Sequence, residues 1–313
     1  MDSQNSDVLT TDVIVIGGGP AGLSAALVLG RARRSVAVID EGKPRNRVTH
    51  ESHGFLTRDS ISPNDFHQIA KEQILKYPSV SFESDVVSSV SGSDEKFSVA
   101  MESGRIIYSR KILFATGMKD VLPDIKGLTE VYGRSAFVCP FCDGWELRDR
   151  HISVIGTNKM GLHLVKMVSG WTKHITFLTN GSQFLATEDL IDLERHHVET
   201  CQDSIKQIDS IEGMVQRIIF KSDTTIDCEG IFFVPKLVQA TPIPASLGCK
   251  MTDDNPFSTI STDPLGRTNV VGVYSAGDAA TQSHQLIQAA SSGAMAAAAI
   301  QLDLLDTEWS KAR

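Results

Sequence analysis

From Asp12 onward the chain alternates short apolar runs with polar breaks that carry glycine. Val13 to Ile16 is a β-branched run of the kind a strand buried on both faces requires. A glycine-rich turn follows, Leu23 to Leu29 continues as a helix, and Val36 to Ile39 supplies the next strand, which makes a βαβ unit. The pattern returns later: His151 to Gly156 reads as a strand, Met160 to Gly170 as a helix and His174 to Leu178 as another strand. Two such beginnings predict two α/β units in one chain. Between them, Lys111 to Gly117 is a strand running into a small-residue turn, and Asn269 to Ala280 is a strand ending at an acidic turn. The final helix, about Gln285 to Leu305, is rich in alanine and is expected to pack tightly rather than line a surface. The N-terminal MDSQNSDVLT is polar and expected to fray. No low-complexity linker appears, and prolines place the crossings between units near Lys119–Pro123 and Gln239–Pro244.

Composition narrows what such a chain does. Its 313 residues suffice for two ordinary domains, and 41% apolar with 22% charged residues is the balance of a globular protein with a proper core. Thirty Lys and Arg against 38 Asp and Glu leave a formal charge of −8, which argues against nucleic acid or an anionic membrane as partner. The longest apolar run, Val13 to Gly30, is interrupted by Gly17–Pro20 and preceded by Asp7 and Asp12 with no basic residue, so it reads neither as a signal peptide nor as a membrane span. Five cysteines without a regular framework fit a reduced compartment, so a cytoplasmic protein is expected.

The first turn, Gly17-Gly18-Gly19-Pro20-Ala21-Gly22, matches G-x-G-x-x-G directly after a strand and opening a helix. Gly17 permits the tight turn, Gly19 lets a pyrophosphate approach the backbone, and Gly22 lets the helix pack on the strand. Asp40 ends the next strand, where an acid takes both ribose hydroxyls. The second turn is poorer. Gly156 and Gly161 remain, but Asn158 stands where the middle glycine belongs, and its side chain crowds the space a pyrophosphate needs. After the following strand, Thr179-Asn180-Gly181 offers neither an acid for an NAD ribose nor an arginine pair for NADP, so binding of NAD(P)H is left open.

Cys139 and Cys142, in FVCPFCDGWE, are the remaining chemistry. Cys201, Cys228 and Cys249 stand alone with no histidine motif after Cys142, so a zinc site is not expected; they read as buried small hydrophobes. A helical stretch after C-P-F-C puts a cysteine at or near a helix N-terminus, where the dipole favours thiolate, and the pair is expected to be redox-active. Asp143 is expected to donate a proton to a departing thiolate or to cap the helix. Gly144 is expected to leave room for a flavin ring.

Taken together, the GGGPAG turn, the ATG at Ala115–Gly117, the C-x-x-C-D-G, the SAGDAA at Ser275–Ala280 and the terminal QAASSGAMAAAAI resemble the low-molecular-weight thioredoxin reductases, a class of pyridine nucleotide-disulfide oxidoreductase, along essentially the whole length. That resemblance implies two Rossmann-like, three-layer ββα domains, the second inserted into the first: 1–118 with 243–313 for FAD, and 119–242 carrying the cysteines. It implies FAD contacts from Asn46, Thr116, Gly117, Gly277, Asp278, Gln288 and Ala289 beside the first turn, and a homodimer. It also assigns Cys142 to meet the flavin and Cys139 to exchange with substrate. The segments KPRNR (Lys43–Arg47), HESHGFLTRD (His50–Asp59) and FLTNG look like the branch of gliotoxin-type dithiol oxidases, which pass electrons from flavin to oxygen. In that setting His284 is expected to face the flavin as a base and His53 to line its pocket. Three functions stay open at this level: a dithiol oxidase, a disulfide reductase fed by NAD(P)H or a protein carrier and serving a thioredoxin-like protein, and a flavin-based redox sensor.

Overall fold

The computed structural model describes residues 10–252 and 257–312; the expected fraying of the N-terminus falls on residues 1–9, outside the described part. Along the chain, β1 (Thr10–Ile16) leads through α1 (Pro20–Arg31) to β2 (Val36–Asp40). Then come α2 (Pro63–Ile74), β3 (Val80–Ser84), β4 (Val87–Ser93), β5 (Lys96–Met101) and β6 (Ile106–Phe114). A second run follows: β7 (Met118–Val121), α3 (Leu128–Val131), β8 (Ala136–Phe137), α4 (Pro140–Asp143), β9 (Ile152–Ile155), α5 (Lys159–Val168), β10 (Ile175–Leu178), α6 (Thr187–Arg195) and β11 (Glu199–Cys201). It continues with β12 (Ile205–Ile211), β13 (Met214–Phe220), β14 (Thr225–Asp227), β15 (Gly230–Phe233) and β16 (Lys236–Gln239). The chain closes with α7 (Ile243–Ser246), β17 (Val273–Ser275) and α8 (Leu286–Lys311).

The first sheet runs β3-β2-β1-β6, with β17 pairing the distal half of β6 in parallel and the β4-β5 meander pairing its proximal half antiparallel. Period-two alternation divides β1 between two cores. Val13 and Val15 pack with α1, α2 and α8, whereas Ile14 and Ile16 pack with Phe97, Val99 and Met101 of the meander. The result is helix, parallel sheet and antiparallel meander in three layers. The second unit repeats the plan. Its parallel sheet β11-β10-β9-β15-β8 carries α5 on one face, through Val154 and Phe177, and the meander β12-β13-β14 on the other, through Ile155 and Leu178. Among the described residues no helix is long and apolar enough to cross a membrane.

Several elements differ from their sequence-based limits. The strand expected over Asn269–Ala280 is only Val273–Ser275, because Thr268 and Val270 are drawn into a turn by the Thr268 side chain. The last helix runs on to Lys311: Glu308 accepts from Arg34 and Arg110, and Lys311 reaches Glu95, so its final turns are anchored to the sheet by charge. Only one of its faces is packed. Ala289, Gly293, Ala296, Ala297 and Ile300 are buried, while Met295, Leu302, Leu305 and Trp309 are exposed.

The packed face depends on small residues. A Cβ at Gly293 would lie 2.0 Å from the Ala21 carbonyl oxygen, so α1 and α8 touch backbone to backbone. Alanine is the better helix former by about 1 kcal/mol, but the clash is with backbone and cannot relax by rotation. Gly293→Ala is therefore expected to lower stability in urea by about 1–3 kcal/mol, whereas Ala298→Ser on the exposed face stays within about 0.5 kcal/mol.

Candidate functional site

Register gathers the first site. Ile16 lies opposite Phe114, and Phe114 opposite Ser275, so the turns that follow β1, β6 and β17 emerge side by side at the carboxyl ends of parallel strands. Gly17 has φ +106°, and a Cβ at Gly22 would sit 1.9 Å from the Gly17 carbonyl oxygen; both positions require glycine. At Gly19 an added Cβ meets nothing within 4 Å, Pro20 fills N1, and no side chain caps the N-terminus of α1, which leaves room at that helix end. The Asp40 carboxylate accepts from the Gly18 and Gly42 amides at 2.8 and 3.0 Å, which orients it at the rim of that turn. Thr116 has a buried hydroxyl with no hydrogen-bond partner, beside Gly117 with φ +66°. Gly277 donates its amide to Ser292 of α8, and α8 starts at Leu286 with no side-chain cap, Gln288 exposed and Ala289 buried in its first turn. An open phosphate cradle, an acid for the ribose and an orphaned hydroxyl between the turns fit a dinucleotide such as FAD.

Asp278 is held by Arg45 at 3.1 Å, and Arg45 is the residue that linear reading passes over. Its Nε and Nη2 donate to the two oxygens of Asp120 at 2.9 and 2.7 Å, and Nη1 also donates to His284 Nδ1 at 2.9 Å. Burial pulls the guanidinium down, but Asp120 and Asp278 outweigh it and hold it above the ordinary arginine value. With Nδ1 accepting from Arg45 and Nε2 donating to the Thr281 carbonyl at 3.0 Å, His284 is neutral, and burial pushes its pKa down. Both ring nitrogens are engaged, Nδ1 by Arg45 and Nε2 by the Thr281 carbonyl. No sequence signal marks this cluster, since its members lie 75, 233 and 239 residues from Arg45. Asn46 donates to Ser52, and His53 lies 3.9 Å from both Glu51 and Asp59 and 3.8 Å from Glu146 of the cysteine segment.

The cysteines stand on a single helical turn. Cys139 is the N-cap of α4, Pro140 fills N1, and the amides of Cys142 and Asp143 point back at the Cys139 carbonyl at 3.1 and 3.2 Å. Both thiols are free and partly buried. The Cys142 thiol donates to the Cys139 sulfur, and the Cys142 and Phe141 amides with the Arg45 charge assist, so Cys139 is pushed down to about 6 against the cost of burial. Cys142 is pushed up, by holding that proton and by burial. Cys139 is thus the thiolate and Cys142 the thiol. Burial, then the Cys139 charge and Glu146, push Asp143 up to about 7. Asp143 ends the turn instead of capping it, which leaves it as a proton donor beside the pair. At Gly144 an added Cβ would lie 2.4 Å from the Pro140 carbonyl oxygen and 2.9 Å from the Trp171 ring. Phe141 and Trp145 flank the thiols and are 64% and 65% exposed. Cys228 and Cys249 are buried as expected, and Cys201 is partly buried against the same core as Cys228.

At the second glycine turn, Asn158 Oδ1 accepts the Met160 amide at 2.9 Å and caps α5. Ser182 donates across the turn to the Thr157 carbonyl at 3.0 Å.

Two outcomes are expected. Iodoacetamide should modify Cys139 of the reduced protein with a half-maximal rate near pH 6; a midpoint near 9 would contradict the thiolate. Asp143 has a folded pKa of about 7 above its ordinary 3.8, so its contribution to stability is present in full below 3.8 and is lost as pH rises through 7. Asp143→Asn is expected to raise the melting temperature at pH 8 and leave it unchanged at pH 4.

Comparison with known proteins agrees with this geometry. Residues 11–294 match the pyridine nucleotide-disulphide oxidoreductase family. Thioredoxin reductase sirT of Leptosphaeria maculans is 30% identical over 314 residues, covering 95% of each chain. A probable thioredoxin reductase of Arthroderma benhamiae is 36% identical over 192 residues, 59% of this chain, and the match spans only 47% of that relative's length. The crystal structure of a putative thioredoxin reductase TrxB from Bacillus anthracis superposes with TM-score 0.89 at 36% identity, over 95% of this chain and 99% of the other. The chain therefore belongs to the pyridine nucleotide-disulphide oxidoreductase family and is a thioredoxin reductase-like oxidoreductase.

Proposed function

We propose that this protein is an FAD-dependent dithiol–disulfide oxidoreductase that oxidises a small dithiol, its electrons passing through the flavin to oxygen. The observation that carries this reading is the Asn158 cap. Its side chain takes an α5 amide that a pyrophosphate would otherwise use, and Ser182 closes over the same turn, which disfavours a nicotinamide donor. FAD, when bound, would supply a two-electron acceptor whose reduced form is reoxidised by oxygen, the two electrons and two protons leaving as hydrogen peroxide. Gly17, Gly19, Pro20, Ala21, Gly22 and Asp40 would hold its pyrophosphate and ribose. Thr116, Gly117, Gly277, Asp278, Gln288 and Ala289 would border its isoalloxazine and ribityl parts, with Asn46 and His53 on the neighbouring loop.

The protein's own share is thiol chemistry. A substrate thiolate attacks the Cys139 sulfur of the Cys139–Cys142 disulfide, forming a mixed disulfide and releasing Cys142. The second substrate thiol then displaces Cys139, so the substrate leaves as a disulfide and two electrons remain on the pair. Cys139 leaves readily because it is stable as thiolate, and Asp143 protonates the departing sulfur of Cys142. The exposed Phe141 and Trp145 give an apolar dithiol a surface. A second reading, a disulfide reductase for a thioredoxin-like protein fed by NAD(P)H or a protein carrier, draws on the same Asp143, since an acid of pKa about 7 equally serves dithiol release.

We further propose 1–118 with 243–313 as the FAD domain and 119–242 as the inserted one, in a cytoplasmic homodimer. The paired crossings β7 and β16 support the division, and the exposed Met295, Leu302, Leu305 and Trp309 of α8 offer a second copy an apolar face.

Anaerobic titration of the flavin band near about 450 nm with dithiothreitol, NADPH and NADH separately tests the function. Bleaching by dithiol alone, with recovery in air, is expected; stoichiometric bleaching by either nicotinamide would favour the reductase. Cys139→Ser and Cys142→Ser are each expected to abolish thiol turnover while remaining folded. Sedimentation velocity should show a dimer that Leu302→Lys dissociates.

A further inference from the structure

Both crossings between the two sheets are strands of one antiparallel ribbon: β7 pairs β16 with Asp120 opposite Leu237. That ribbon is fastened at both strands to the turn that carries Asp278. On β7, Asp120 is only 6% exposed and receives a bidentate pair from Arg45, whose remaining nitrogen holds Asp278. On β16, Gln239 Nε2 donates to the Ala279 carbonyl at 3.0 Å, and the next amide, that of Ala240, donates to Gly117 at 3.3 Å. The inserted segment joins the same cluster. Tyr132 donates to Asp120 at 2.9 Å, and Gly133 sits so close that a Cβ there would meet the Val48 carbonyl oxygen at 2.3 Å, at the end of the short turn that begins with Arg45. The Arg45 charge also favours the thiolate forms of Cys139 and Cys142.

We infer that Arg45 is a positioning residue for electron transfer between the cysteine pair and the flavin: by bridging Asp120 to Asp278 it clamps the ribbon onto the cofactor turn and sets where Cys139 and Cys142 stand. The inference rests on the dithiol–flavin reading above. A bidentate guanidinium–carboxylate pair suits this task because two parallel bonds fix an angle as well as a distance. A buried pair of this kind contributes orientation more than net stability. The Tyr132 phenol on Asp120 carries the restraint to the segment that leads directly into β8 and the cysteines.

Asp120→Asn is the discriminating variant: Asp120 belongs to none of the FAD-contact residues, so FAD content separates a role of Arg45 confined to the cofactor from the clamp. Three quantities are read on purified protein: FAD per chain, the anaerobic rate at which dithiothreitol bleaches the flavin, and the long-wavelength thiolate–flavin absorbance. The expected result is full FAD content with bleaching slowed at least about tenfold, as for reacting groups displaced by a fraction of an ångström to about 1 Å, and a weakened long-wavelength band. Arg45→Lys, which keeps the charge but loses the fork, is expected to slow bleaching similarly, and the double variant is expected to be no slower than the slower single. Should Asp120→Asn fail to fold, Tyr132→Phe removes one hydrogen bond and no charge, and about a threefold slowing is expected. Wild-type bleaching rates in Asp120→Asn, or in Tyr132→Phe where that variant is used, overturn the clamp; so does a slowing that merely follows lost FAD. A wild-type protein that no dithiol bleaches would instead overturn the functional reading itself.

Discussion

The parallel pairing of β17 with β6 is the constraint on which the rest of the molecule depends. A strand beginning at Val273 must return to the sheet that opened at Thr10, beside a strand that ended at Phe114. Everything between therefore has to leave and re-enter at one place. The β7–β16 ribbon is that place: two extended segments whose backbone groups satisfy each other and need no other sheet. The same pairing brings the Asp278 turn against Thr116 and Gly117, and the glycine turn after β1 completes the group. The ligand site and the hinge to the second unit are consequences of one register.

Charge then decides what the assembled site is able to do. Arg45, Asp143 and the two thiols are largely desolvated, and there each ionisation is set by neighbours rather than by residue type. Arg45 with two carboxylates stays charged. Asp143, with no cation of its own, drifts toward neutrality and becomes an acid in the range where Cys139 is already a base. A thiolate and a protonated carboxylic acid side by side near neutral pH are the pair of species that disulfide exchange requires. The ordering of the two cysteines follows from local geometry, since only Cys139 stands at the start of the turn and receives the amides and the Cys142 proton.

The second unit shows the same fold put to different use. Its sheet, its α5 and its meander repeat the first unit closely, and Gly156 and Gly161 still allow strand and helix to touch. Here, unlike at α1, a side chain caps the helix: Asn158 accepts the Met160 amide at the start of α5. The same unit carries Cys139 and Cys142, on the short turn that follows β8.

Much of this was written locally. The βαβ units, the crossings, the three glycine-bearing turns and the paired cysteines are legible because each depends on residues within a few positions: β-branched runs, glycines where backbones meet, two cysteines three apart. Element ends were legible less well. The last helix outruns its alanine pattern because Arg34 and Arg110, far away in the chain, anchor Glu308. Likewise the packing of Gly144 on Trp171 joins segments that nothing local in the chain relates. The sequence by itself determined the two Rossmann-like folds and the place of the cysteine pair at the start of a helical turn, since periodicity, turn geometry and motif spacing are short-range. Only the tertiary structure decided which cysteine ionises, what His284 does and that Arg45 joins them. Those outcomes depend on burial and on charges brought together from segments that nothing in the linear chain relates.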